Sequence, residues 1–428
     1  MTSSHVARRR PHRSGVGGPL PASYLVWLAA TTASQLGDVV FGFAVGWVAA
    51  EHGGSAAGLV LAAGSLPSVL LLLLGGAVAD RFGARRVMIA GDAVMVVVSL
   101  ALAVAVLHAG TPLWLLLAAS ALRGVVSAFY RPSAGSMPRR LVADAQLTRA
   151  LALRQSAAQA VLLLGAPLAG ILVAAGGLGS VALLDAGTFL VVLVVLLLVR
   201  PRYATPSSDP GVPVWRAALD GVRVVRRTPG LPAALGLTGG AAAFLLPTTS
   251  LVLPLLARHA GWDASAAGMV MGAQGAGIVL VTAVVARRGG SRRPGVAASG
   301  GLVAAALGQA GLVAAASIPV GAASGWPTVV AATAMGFAVG VGSGLFTAHL
   351  APVVLGSAPR THLARVQALV GLVQVLALTI TNPALGALAS ATSPAVAGGV
   401  CALGLLACAA GGATALRRLT LDQVEGAQ

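Results

Sequence analysis

Leu70-Leu71-Leu72-Leu73-Leu74-Gly75-Gly76-Ala77-Val78-Ala79-Asp80-Arg81-Phe82-Gly83-Ala84-Arg85-Arg86 ends one long apolar run and opens a basic cluster. The run covers 56–79. That is enough to cross a bilayer core, which takes about 20 mostly apolar residues as a helix. The small residues at its end let two helix ends approach closely. Gly83 permits a tight turn, and Asp80 can pair with an arginine or cap a helix N-terminus. Gly76, Asp80, Arg81, Gly83, Arg85 and Arg86 thus read in two ways. They form a latch on the inner gate of a two-state membrane protein, or a topology signal around a tight loop.

Eleven further runs of this kind surround it. With 56–79 they are 24–50, 87–107, 113–129, 151–175, 181–199, 231–256, 265–286, 296–317, 327–350, 364–388 and 395–416. Helices are the element to expect, because lipid offers no partner to backbone N–H and C=O groups. The runs are too long and too uniformly apolar for barrel strands. Composition points the same way: 57% of the 428 residues are hydrophobic and 9% are charged, against about 25% charged in a soluble domain. A water-soluble globule could not cover its surface with so few polar groups. The expectation is an all-α integral membrane protein of twelve transmembrane helices.

The formal charge of +17 comes from arginine alone, since the chain has no lysine. A basic chain can bind nucleic acid, but here the arginines sit in short clusters between apolar runs, as cytoplasmic loops do. With the N-terminus inside, alternate connections hold 26 of the 28 arginines. Arg123, inside a span, and Arg258, on the opposite side, are the exceptions. Both termini are therefore expected in the cytoplasm. The stretch 200–230 is the longest connection; Trp215, Leu219, Val222 and Val225 alternate at helical spacing with Arg216, Arg223, Arg226 and Arg227. It reads as a basic amphipathic helix on the inner leaflet. The chain divides into a tail (1–23), a six-helix bundle (24–199), a linker (200–230), a second six-helix bundle (231–416) and a tail (417–428). A weak repeat supports this: the basic cluster after the second span recurs after the eighth as Arg287-Arg288-Gly289-Gly290-Ser291-Arg292-Arg293. Duplicated six-span halves are a transporter plan.

Asp38 falls near the middle of the first span, where an acid costs roughly 2.5–3.5 kcal/mol by insertion scales. It is expected to face a cavity and is a candidate proton site; the bland alternative is a hydrogen-bonding acid between helices. Arg123 is expected to line the same cavity and pair with an acid. Asp92 and Asp185 lie near expected span ends and read as capping or interfacial acids. Gln35, Gln155, Gln159 and Gln274 are weak candidates for substrate contact beside ordinary interhelical hydrogen bonding. Trp27, Trp114, Trp262 and Trp326 suit an interfacial belt. Cys401 and Cys408 read as apolar packing residues. The seven histidines show no metal spacing, and without lysine no P-loop is possible. No enzyme, metal or cofactor is expected.

The cluster at Gly76, Asp80, Arg81, Gly83, Arg85 and Arg86 resembles the G-x-x-x-D-R-x-G-R-R loop of the major facilitator superfamily. The second copy has Arg287 where that pattern places an acid. Ser34-Gln35-Leu36-Gly37-Asp38, Phe129-Tyr130-Arg131-Pro132-Ser133 and Asp185-Ala186-Gly187-Thr188-Phe189-Leu190 resemble the branch that contains macrolide and enterobactin exporters. Gly165, Pro167 and Gly170 resemble the antiporter signature G-P-x-x-G-G of the fifth span and mark a bendable, closely packed helix. The resemblance implies the major facilitator fold, a central cavity, alternating access and, in many members, exchange for protons. It also implies a functional arginine in the fourth span, at Arg123.

The function expected is proton-coupled efflux of a small amphipathic molecule, a drug, antibiotic or siderophore-like metabolite, from a bacterial plasma membrane by a monomer. Asp38 and Arg123 would govern protonation. The alternatives are a facilitator or importer on the same fold, and a membrane sensor or scaffold that moves nothing.

Overall fold

The computed structural model describes residues 19–201, 230–318, 325–356 and 363–415, with 203, 223, 225 and 228 between the first two stretches. The first four helices are α1 (Ala22–Ala49), α2 (Gly54–Phe82), α3 (Ala84–Ala109) and α4 (Leu113–Leu141). A 55-residue helix, Asp144–Leu198, follows. At 1.5 Å per residue it measures about 80 Å, more than twice the hydrocarbon core. Its backbone breaks once, at Gly177 (φ 65°, ψ −170°), a conformation that glycine reaches without steric penalty. The two arms, α5 (144–176) and α6 (178–198), form a hairpin. The hydroxyl of Tyr24 donates to the Ala150 carbonyl, and Arg85 donates to the carbonyl of Leu196, so the far tips of both arms return to one end of the molecule.

The second half repeats the plan with α7 (Leu231–His259), α8 (Ala264–Arg288), α9 (Pro294–Ala316), α10 (Trp326–Gly356), α11 (Leu363–Ala391) and α12 (Pro394–Ala415). A π-turn at Thr248–Val252 interrupts α7. Eleven described helices are long and apolar enough to cross a membrane, and the break at Gly177 makes them twelve spans. Both expected boundaries of the connection between the fourth and fifth spans move. Helix α4 runs on through Pro132 and Pro138 to Leu141, and α5 starts at Asp144. Arg131 therefore rides on a helix and not in a loop.

The packing partners repeat with a shift of six helices. α2 packs on α4 as α8 does on α10, α1 on the α5–α6 hairpin as α7 does on α11 and α12, and α3 on that hairpin as α9 does on α12. The turn repeats too: Gly83 (φ 87°) ends α2 and Gly289 (φ 81°) ends α8. The halves meet along α2–α11 and α5–α8, two contacts that the same shift exchanges.

Arg81, Arg85, Arg86, Arg139, Arg140, Arg287 and Arg288 cluster at the ends of α2, α4 and α8 and the start of α3. This is the basic end. At the opposite, far end one apolar core joins both halves: Val45, Val60, Leu116, Val173 and Leu178 pack with Leu251, Leu256, Val270, Leu312 and Leu385. At the basic end each half keeps its own core. Tyr24, Met88, Leu141 and Leu196 form one, and Leu231, Leu302, Leu350 and Leu405 the other. The halves are fused at the far end and parted at the basic end.

Large apolar side chains cover the outside, with Val97, Leu107, Leu198, Leu307 and Leu403 exposed. Such a surface suits acyl chains and not water. Trp114 and Trp326 are exposed at the far end, Trp262 is half-buried, and Trp27 departs from the expected belt. It is buried against Tyr24, with ring centroids 5.8 Å apart, because α1 is packed on its first turns by α5. Cys401 is buried and Cys408 half-buried, and both are free thiols. The expected amphipathic helix of the linker lies almost wholly outside the described residues, though Arg223 and Val225 are helical. The tail 417–428 lies outside them as well.

Candidate functional site

The parted halves enclose a cavity of about 410 Å³. The first half supplies most of its wall, from α1, α2, α3, α4 and α6; Val375 and Leu378 of α11 close it from the second half. Ser65 of α2 accepts a hydrogen bond from Thr379 of α11 at 2.9 Å, tying the halves at the cavity's edge.

Arg123 stands in this wall between two carboxylates. Its Nη1 donates to Asp185 Oδ2 at 2.8 Å, its Nη2 reaches Asp185 Oδ1 at 3.4 Å, and Nη2 also pairs with Asp38 Oδ1. The guanidinium carbon lies 4.2 Å from the centre of the Phe41 ring and 5.5 Å from that of Phe189. Two aromatic faces and two acids thus hold one cation, an arrangement suited to a planar guanidinium. The acids are unequal. Asp185 is 1% exposed and also accepts from Ser99 Oγ at 2.9 Å, whereas Asp38 is 48% exposed. Asp185 is a fixed counterion; Asp38 opens onto the cavity.

Local sequence explains the approach. A Cβ on Gly37 would lie 2.7 Å from Thr188 Oγ1 and 3.2 Å from Asp185 Oδ1. Only a residue without a side chain lets α1 lie that close to α6. The segments Ser34–Asp38 and Asp185–Leu190 therefore meet, with Arg123 between them.

Asp185 joins this cluster although the sequence placed it at a span end. It is not a capping or interfacial acid: α6 begins at the Gly177 break, earlier than the apolar run implies, so Asp185 lies two turns inside. Asp92 likewise lies two turns into α3 and is fully buried, with Tyr130 Oη 3.4 Å from its Oδ2. A carboxylate in each of α1, α3 and α6 beside an arginine in α4 was the available signal.

Gly165, Pro167 and Gly170 sit elsewhere. The α5 backbone stays helical through Pro167 and breaks only at Gly177. A Cβ on Gly165 would lie 2.6 Å from Val39 Cγ1, and one on Gly170 would lie 2.5 Å from the Ala264 carbonyl and 2.9 Å from Gly268 Cα. These small residues seat α5 against α1 and against α8 of the other half. Of the basic cluster, Arg85 donates from Nε to the carbonyls of Leu196 (2.8 Å) and Val199 (3.1 Å), and from Nη2 to that of Leu197 (3.1 Å). It caps the C-terminus of α6 within its own half. Arg81 lies over the Phe82 ring at 5.6 Å, and Arg86 is exposed. The side chain of Asp80 and the surroundings of Gly76 lie outside the described residues. Gln35, Gln155 and Gln159 are not among the cavity's lining, and neither is Gln274, which accepts from Thr249 at 2.9 Å. Among the described residues no cluster of histidine, cysteine or acid could hold a metal.

A family model described as Major Facilitator Superfamily matches residues 27–328. The chain belongs to the Major Facilitator Superfamily. It is 27% identical over 268 residues to an uncharacterized MFS-type transporter, YfiS, of Bacillus subtilis, covering 61% of this chain and 63% of that protein. It is 24% identical over 238 residues to macrolide efflux protein A of Streptococcus pyogenes, covering 54% of this chain and 58% of that protein. The matches thus span about six tenths of each relative. Among solved structures, the nucleoside transporter NupG aligns with a TM-score of 0.71 at 10% identity, over 91% of this chain and 99% of that one. A bacterial homologue of the lysosomal transporter Spinster, in an inward-facing and unoccupied conformation, aligns with a TM-score of 0.68 at 14% identity, over 94% and 96%. At such identity the likeness is one of fold. The protein is a multi-pass membrane protein of the superfamily.

Proposed function

We propose that this transporter exports a small amphipathic molecule by alternating access, driven by protons that enter through Asp38. One observation carries the reading: the cavity lies between halves that share a core at the far end and part at the basic end, with the exposed carboxyl of Asp38 in its wall. The arginine distribution favours a cytoplasmic basic end, with both termini inside, and in that orientation this conformation loads from inside. A proton on Asp38 removes one of the two carboxylates that hold Arg123 and leaves Asp185 as the other. The charge balance of the cavity wall then differs between the loaded and empty states, and a ligand or proton that binds them unequally shifts their populations. Each proton entering with the membrane potential contributes about 2.3 kcal/mol per 100 mV. The likeness to macrolide efflux protein A makes a macrolide the first probe.

The test is erythromycin-driven proton movement in proteoliposomes. Wild type is expected to move protons against erythromycin, and Asp38→Asn to lose that movement while staying monodisperse in detergent. Unchanged proton movement in the variant would remove Asp38 from coupling. Erythromycin counterflow without proton movement would instead support the facilitator reading.

A further inference from the structure

One buried acid is left unused by this scheme. Asp92 lies in α3, fully buried by protein, and its Oδ1 has no hydrogen-bond partner. Its Oδ2 meets a single group, the Tyr130 hydroxyl of α4, at 3.4 Å. Among the described residues no cation pairs with it. Asp185, two turns further along the bundle, shows what a buried carboxylate collects here: two arginine N–H groups and a serine hydroxyl, two of them within 2.9 Å. Charge-assisted O–H···O⁻ bonds run about 2.5–2.7 Å, and the Asp92–Tyr130 contact is longer than that.

The other groups around the pair are few. Asp38 of α1 is the charged group that acts on Asp92, and Arg154 of α5 acts with Asp38 on Tyr130. Asp185 of α6, the arm that packs on α3, is already held by Ser99 and Arg123. Tyr130 lines the same cavity as Asp38 and Arg131, whereas Asp92 does not. Gly91 leaves room for the ring: a Cβ there would lie 3.1 Å from Tyr130 Cδ2. Asp92 is eight residues from the start of α3 at the basic end, about 12 Å of helix. Asp38 is sixteen residues into α1, about 24 Å from the same end. The pair sits between the Asp38 site and the basic end.

We propose that Asp92 is a second proton-carrying carboxyl of this transporter, exchanging its proton with the cavity through the Tyr130 hydroxyl. The step balances. Tyr130 releases its hydroxyl proton to the cavity and takes the Asp92 proton on the same oxygen, leaving Asp92 as a carboxylate that accepts from a restored Tyr130 O–H. The proposal rests on the proton-driven reading above and is tested apart from it.

The experiment is infrared spectroscopy of the purified full chain across a pH series, reading the C=O stretch of protonated carboxyls. Wild type is expected to show such a band, to lose it as pH rises, and to exchange its proton for deuteron readily. Asp92→Asn should remove the Asp92 component of the band and leave that of Asp38, and Tyr130→Phe should keep both while slowing exchange of the Asp92 component several-fold. An Asp92→Asn spectrum that superimposes on wild type overturns the proposal, as does a band that never titrates. Should Asp92→Asn fail to fold, an unchanged exchange rate in Tyr130→Phe overturns it equally. Absence of erythromycin-driven proton movement in wild type would count against the transport reading alone.

Discussion

Arg123 concentrates the chemistry of the first half in one side chain. It satisfies Asp185, which is 1% exposed and has no other cation among the described residues. Removing one partner of a buried ion pair leaves the other charge stranded, at a cost of about 3–5 kcal/mol. Arg123→Ala is therefore expected to lower the thermal midpoint in detergent sharply, and Arg123→Ala with Asp185→Asn to recover much of the loss. Asp38→Asn should move the midpoint little, because Asp38 is half-exposed to the cavity and exposed pairs are worth about 0–1 kcal/mol. A double variant as unstable as Arg123→Ala would show that the arginine acts through its aromatic contacts with Phe41 and Phe189 and not through Asp185. Asp38 and Arg123 are legible in the sequence because a charge inside an apolar run stands out. Asp185 is not, because its place depends on where α6 begins, and a hairpin at Gly177 leaves no polar loop to mark it.

Helices α1 and α7 carry the clearest contact between the halves at the far end. Arg258 of α7 donates from Nη2 to Glu51 Oε1 at 2.5 Å and from Nε to the Trp47 carbonyl at 2.9 Å, and its guanidinium lies 4.3 Å from the Trp47 ring. It is the one arginine that the charge pattern places on the far side, and its partners explain its position. Nearby, Ser55 N–H donates to Ser390 Oγ at 2.8 Å between α2 and α11. These bonds exist only while the far end is closed, so they favour the conformation parted at the basic end. Glu51→Arg or Arg258→Glu should shift the population toward far-end opening, read as a longer spin-label distance between the far ends of α1 and α7. The paired swap should restore the wild-type distance; distances unchanged by either single variant would leave the closure to the apolar core alone. The turn after α2 was foreseeable from glycine at Gly83. The role of Arg85 as the cap of α6 was not, since the residues it serves lie more than a hundred positions away.

At the scale of the molecule, two six-helix halves share one apolar core at the far end and separate at the basic end. A shared core of this kind cannot be half-opened without exposing apolar surface, as the proposed alternation between two closed ends requires. The arginine pattern adds an orientation. A cysteine introduced by Ser291→Cys, beside the turn after α8, is expected to react with an impermeant thiol reagent only in inverted membranes. One introduced by Thr111→Cys, in the turn after α3, should react in intact cells. The reverse pattern would invert the proposed direction of loading.

Composition and the spacing of apolar runs determined the membrane, the helices and their duplication, because lipid penalises every unpaired backbone group and leaves few alternatives to a spanning helix. Arginine clusters gave the expected sidedness for a similar reason: charge placement along the chain is a local property. Tertiary structure alone decided which charges meet. Asp38, Arg123 and Asp185 come from three helices and converge because Gly37 lets α1 lie against α6. Asp92 and Tyr130 converge beside Gly91. Such contacts depend on how helix faces seat against one another over long sequence separations, and periodicity within one helix carries no record of the neighbour that will cover it.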